Sequence, residues 1–169
     1  EARGVGDEQE EPDEDPEELY VEPGTLAPPN VPLGDLAAKT NELILIHTPH
    51  LEDKYKGTRM IVDMLKNDRR VQPHRVCVDH VEEHTIQYVL DQGFWAGITL
   101  YPDSKSSPPR AVDMLEICGR ERIWLNSACD WGVSDPLAVP KTAFEMRRRG
   151  HSTEFVEQVL YQNPVRFLS

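Results

Sequence analysis

The chain has 169 residues, with 30 acidic against 18 basic side chains, a formal net charge of −12 and a pI near 4.9. It has no basic surplus of the kind that neutralises phosphates, which argues against nucleic acid as a partner, and no run approaches the roughly eighteen apolar residues of a membrane span. The charge is unevenly placed: Glu1–Asn30 holds eleven acidic residues and one basic residue, Arg3, and so accounts for −10 of the −12.

That first stretch combines dense like charge with repeated proline and few aliphatic residues, so it buries too little surface to offset the entropy of ordering. Residues 1–35 are expected to be an acidic, Pro-rich disordered segment, and 36–169 the folded part. The N-terminus has neither the basic start nor the apolar core of a signal peptide. Cys77, Cys118 and Cys129 form no CxxC pair and leave an odd count. They read as buried thiols of a reducing compartment, and a cytoplasmic protein is expected.

Leu33, Leu36 and Ala37 could form one short helical face. Leu43–His50, LILIHTPH, is an uninterrupted apolar run ending in polar residues, the pattern of a strand buried on both faces in a parallel sheet. After a polar loop, Met60, Ile61, Met64 and Leu65 recur at helical spacing, with Thr58 placed to cap the start. Arg75–His80 reads as a second strand, and Ile86, Val89 and Leu90 give a helix ended by Gly93. Phe94–Tyr101 is a third strand and Pro109–Cys118 a helix stopped by Gly119. Ile123–Cys129 is a fourth strand.

Asp135–Pro136 reads as a capping residue and a first-turn proline, followed by a helix from Lys141 to Arg149. Ser152 can cap the last helix, and Asn163 with Pro164 is expected to halt it. Four strand-then-helix units imply parallel strands with right-handed crossovers, hence an α/β fold that is either an open sheet or half of an eight-fold barrel.

Three strands run into a metal-ligand residue type: His47, His80 and Asp130. Strand C-terminal ends are where α/β folds place their chemistry. By strand parity His47 shares a face with Leu45 and Leu43, His80 with Val78 and Val76, and Asp130 with Ala128, Asn126 and Trp124. If each set faces inward the three meet at one mouth, and Cys77 and Cys129 face the helices, which argues against a thiol nucleophile.

At these residues the sequence resembles the TatD-like metal-dependent hydrolases of the amidohydrolase superfamily. IHTPH is similar to that family's fifth barrel strand, CVDH to its sixth, GITLYP to its seventh and NSACDWGVSDPLAVP to its eighth, while YQNPVRFLS resembles its terminal motif. The resemblance implies a partial TIM-type barrel of about four C-terminal βα units. It also implies a divalent metal (Zn, Mn or Mg) held by His47, His80 and Asp130, with Asp130 as general base to the attacking water. The activity implied is hydrolysis of an ester, amide or phosphoester bond in a small-molecule or phosphoester substrate. The family's His-x-His pair and bridging glutamate have no counterpart, since no histidine precedes His47. Either the first half comes from another chain or, the expectation favoured, this is a truncated product.

Other polar residues have competing readings. His50 faces away from His47 and is at most a weak substrate contact. His80–His84, HVEEH, matches an inverted zinc-protease motif that needs both histidines on one helix, which the strand ahead of His80 opposes. His84 is then an exposed helix residue and Asp79 a helix cap. Asp135 has a structural reason at a helix start, Asn126 and Trp124 belong to the inner face, and Asp103 is an ordinary loop acid. The competing function is a non-catalytic remnant or a module that self-associates through its open sheet edges.

Overall fold

The computed structural model describes residues 42–48, 53–101, 104–129 and 133–169. The chain divides into Glu1–Pro32 and Leu33–Ser169, and every described residue belongs to the second unit. The acidic segment, the face of Leu33, Leu36 and Ala37, and His50, Asp103 and Asp130 lie outside the described residues.

Strand β1 (Ile44–His47) leads to α1 (Lys54–Asn67), β2 (Val76–Asp79) to α2 (Ile86–Asp91), β3 (Trp95–Leu100) to α3 (Pro108–Cys118), and β4 (Ile123–Ser127) to α4 (Ala138–Arg148). The chain closes with α5 (Thr153–Glu157), a π-turn (Gln158–Gln162) and α6 (Asn163–Leu168). The four strands are parallel and ordered β1-β2-β3-β4, so the expected α/β architecture is present. No helix among the described residues is long and apolar enough to cross a membrane.

Alternation along the strands divides the sheet into two faces. Ile44, Val76, Val78, Ala96, Ile98, Leu100, Ile123 and Leu125 pack outward against the helices, meeting Val62, Leu65, Ile86, Val89, Val112, Leu115 and Met146. Full burial of such a side chain is worth about 1.5–3 kcal/mol, so this layer carries most of the stability. The inner face holds Cys77, Trp95 and Trp124, which pack with Phe167 of α6 and partly with Leu43. Phe167 meets the Trp124 ring edge-on at 4.6 Å and thereby covers the inner face near the start of the strands.

Parity for β2 is therefore opposite to the expectation. Val76 and Val78 face the helices, and Cys77 faces inward among aromatic rings. The reason is that β2 ends at Asp79: His80 has left the strand with φ +61°, a left-handed conformation, so its side chain does not continue the alternation. Parity for β1 and β4 holds, with Leu45, Trp124 and Asn126 lining the inner side.

Three local expectations are corrected by capping chemistry. Helix α1 begins at Lys54, because Asp53 caps it by accepting from the Lys56 N–H at 2.8 Å, which leaves Thr58 buried inside the helix. Helix α4 begins at Ala138, and Asp135 serves its start by accepting from the Leu137 N–H at 2.9 Å. Asn163–Pro164 does not stop the last helix, although Ser152 caps it by accepting from the Phe155 N–H at 3.2 Å. The wider π-turn just before proline absorbs its missing N–H and ring bulk. The buried Asn163 amide then donates to the Arg120 and Ile123 carbonyls, both at 2.7 Å, tying the helix to the start of β4.

Candidate metal centre

Adjacent parallel strands bring His47 opposite Asp79, with His80 one residue on. The His47 Nδ1 and His80 Nε2 atoms lie 2.7 Å apart, and the rings meet edge-on. Thr48 supports this corner by donating from Oγ1 to the Asp79 carbonyl at 2.9 Å. The Val81 N–H donates to the Gly97 carbonyl at 3.1 Å, which secures the chain just beyond the left-handed turn at His80.

Asp79 is buried at 7% exposure and its carboxylate lies across the neighbouring strands. Its Oδ1 accepts from Thr99 Oγ1 at 2.8 Å and from Asn126 Nδ2 at 3.0 Å. Thr99 Oγ1 is in turn 2.7 Å from His80 Nδ1. Gly97 makes this possible: a Cβ there would sit 3.1 Å from both Asp79 Cγ and Trp124 Nε1, and closer still to Asp79 Oδ1. Asp79 is thus not the helix cap that the sequence suggests but the acceptor at the centre of an inner-face network. The signal available for it was Gly97 itself, since a glycine inside a buried strand marks close approach by another group.

Burial holds the His80 imidazole down to about 4, with Lys105 and His47 acting in the same direction and Asp79 opposing them. Its ring is therefore neutral near pH 7, the form in which histidine binds metal. Lys105 Nζ approaches His80 Nδ1 to 3.4 Å and brings positive charge to the mouth.

His47, Asp79 and His80 each bring a ligand atom within 4.8 Å of the others. Two imidazoles and a carboxylate are the donor types that zinc and other divalent ions take, so the residues present fit such an ion. The two facing nitrogens are closer than the roughly 3.3 Å that tetrahedral coordination at about 2.0–2.1 Å requires, so the rings would have to turn apart to hold an ion. Asp130, the third ligand implied by the family resemblance, lies outside the described residues, as does His50.

HVEEH does not form a protease centre. His80 is in a left-handed turn, His84 is an exposed residue of the turn before α2 rather than part of it, and the two acids are taken up elsewhere. Lys54 pairs with Glu82 at 3.0 Å, and Arg110 forks onto Glu83 at 2.5 and 2.6 Å, holding that carboxylate below its ordinary range. These pairs pin the loop after β2 to α1 and α3. Of the three cysteines expected to be buried only Cys77 is, Cys118 being half-buried and Cys129 exposed; desolvation raises the Cys77 thiol far above the ordinary value, so it is no nucleophile, although it faces inward.

No family model matches the chain, and no curated protein matches it. Among solved structures, a TatD-like protein from Archaeoglobus fulgidus is similar at 26% identity and a TM-score of 0.61, covering 80% of this chain and 50% of that one. A phosphotriesterase homology protein from Escherichia coli, solved with phosphate in its active site, is similar in fold at 18% identity and a TM-score of 0.66, covering 80% of this chain and 51% of that one. The chain spans about half the length of the solved structures it matches. What it shares with them is about half of a TIM-type barrel, and in that half the chain resembles the TatD-like proteins.

Proposed function

We propose that this chain contributes to a TatD-like metal-dependent hydrolase acting on an ester, amide or phosphoester bond. The observation carrying this reading is the pair of imidazole nitrogens 2.7 Å apart at the ends of adjacent parallel strands, beside a buried carboxylate. His47 and His80 are assigned as ligands, Asp130 as a third ligand and general base to the attacking water, and His50 as a weak substrate contact. A divalent cation held there, such as zinc, manganese or magnesium, would lower the pKa of water and so make hydroxide available near neutral pH. Asp79, through Thr99, keeps the His80 ring oriented, and Lys105 adds positive charge that favours an anionic group such as a phosphoester. The thiols are free, as a cytoplasmic setting keeps them.

The test is metal binding by calorimetry on the full chain and on a His47→Ala/His80→Ala variant, followed by a screen of phosphodiesters, esters and amides. Stoichiometric binding lost in the variant, with hydrolysis that depends on added metal, is expected. Binding no better than the variant's would end the reading. A second reading, a non-catalytic module that self-associates, draws on Leu45, 55% exposed beside the inner groove, and Leu168, 64% exposed at its rim. A metal-free dimer with no hydrolytic activity would favour it.

A further inference from the structure

The network around His80 has only one consistent distribution of protons. Asp79 Oδ1 accepts from Asn126 and from Thr99, and the threonine hydroxyl has a single proton, which the bond to Asp79 uses. His80 Nδ1, 2.7 Å from that same oxygen, must therefore be the donor there. In the neutral ring this leaves His80 Nε2 bare and pointing at His47, whose Nδ1–H then donates across the 2.7 Å gap. The opposite tautomer would have Lys105 and Thr99 donating to a bare Nδ1. The lysine contact is the long one at 3.4 Å, and Thr99 would then turn a lone pair toward a carboxylate oxygen only 2.8 Å away. The shorter and better matched bonds win.

We infer that Asp79 and Thr99 are positioning residues that fix His80 as the Nδ1–H tautomer, presenting a bare Nε2 to the mouth of the site. Gly97 is the third part of the device, since only a residue without a Cβ lets the Asp79 carboxylate lie over β3 to reach Thr99. The relay works as a carboxylate–imidazole pair with a hydroxyl inserted between its members. A direct Asp79–His80 contact is not formed, the nearest oxygen and nitrogen being 3.8 Å apart. The value of the tautomer for metal binding rests on the function proposed above, but the tautomer itself does not.

The experiment is a long-range proton–nitrogen correlation spectrum of the metal-stripped, 15N-labelled full chain near neutral pH, with His80 identified among the six histidines by its loss in His80→Gln. Protonated Nδ1 and bare Nε2 are expected. Thr99→Val, close to isosteric, should abolish the preference and weaken zinc affinity by about 10- to 100-fold at an unchanged circular dichroism spectrum, and Thr99→Ser should restore both. A wild-type ring protonated at Nε2 overturns the inference without any variant, as does a Thr99→Val protein with unchanged tautomer. A wild-type chain with the expected tautomer but no zinc affinity leaves the positioning intact and ends the proposed function instead.

Discussion

Replacing Gly97 by alanine puts the close approach of β2 and β3 to a quantitative test. In an ordinary strand the change is favourable by about 0.5–1 kcal/mol, because glycine loses more backbone freedom on folding. Here the new methyl would sit 3.1 Å from Asp79 Cγ and from Trp124 Nε1, and nearer to Asp79 Oδ1, so the carboxylate has to move. Overpacking of that kind costs about 1–3 kcal/mol. Moving the carboxylate also strips the acceptor from Thr99 and Asn126, and a buried donor left unsatisfied costs about 1–3 kcal/mol. A net loss of about 2–4 kcal/mol is expected. Urea unfolding of wild type, Gly97→Ala, Asp79→Ala and the double variant reads it directly, since the midpoint shifts at constant slope. With Asp79 already truncated, the Gly97→Ala change should cost under about 1 kcal/mol, because only the Trp124 contact remains. A Gly97→Ala cost that is negligible, or the same in both backgrounds, refutes the proposed geometry.

Asn163→Ala should destabilise by about 2–4 kcal/mol in the same assay, since it leaves the Arg120 and Ile123 carbonyls without their donor and opens a small void. Glu145 is held at about 2 by hydrogen bonds from Arg148 and Arg149, below its ordinary 4.5. A carboxylate lowered on folding stabilises fully above its unfolded value and loses that contribution as pH falls through the folded one. The gap in melting temperature between wild type and Glu145→Gln should therefore narrow between pH 4.5 and 2 and stay constant above pH 5.5; a gap flat across that range would refute it. With iodoacetamide under native conditions, Cys129 should be alkylated first, Cys118 slowly, and Cys77 only after denaturation, as peptide mass mapping would show. Early labelling of Cys77 would contradict its burial.

The order and parallel direction of the strands were legible because apolar runs such as LILI and VCV are bounded by clear polar breaks. The convergence of His47 with His80 was legible too, though for a partly mistaken reason. Period-two alternation in β2 ends at Asp79, one residue before His80, and a left-handed turn, invisible to that pattern, brings His80 to the inner side regardless. Carrying the alternation on to His80 sends Cys77 to the wrong face and hides Asp79, whose partners Thr99 and Asn126 come from two other strands and so depend on register. Helix ends failed where tertiary bonds overrode local signals: proline after Asn163 reads as a stop, and only the buried amide contacts and the π-turn show why it is not.

Among the described residues each strand pairs with its neighbours in the chain, so the sheet can assemble one strand–helix unit at a time, closing connections of 28 residues (48–75), 15 residues (80–94) and 22 residues (101–122) in turn. The units are not equally secure. Every residue of β2 and β3 is buried, whereas in β1 Leu45 and His47 are exposed and Ile46 is half-buried. Opening the structure from the β1 end thus costs less than unfolding it whole. The two histidines of the candidate centre therefore differ in their support, His80 following the fully buried β2 and His47 lying on the more exposed β1. Any ion shared between them would spend part of its binding free energy on ordering β1, and its affinity would report the local stability of that edge as much as the chemistry of the ligands.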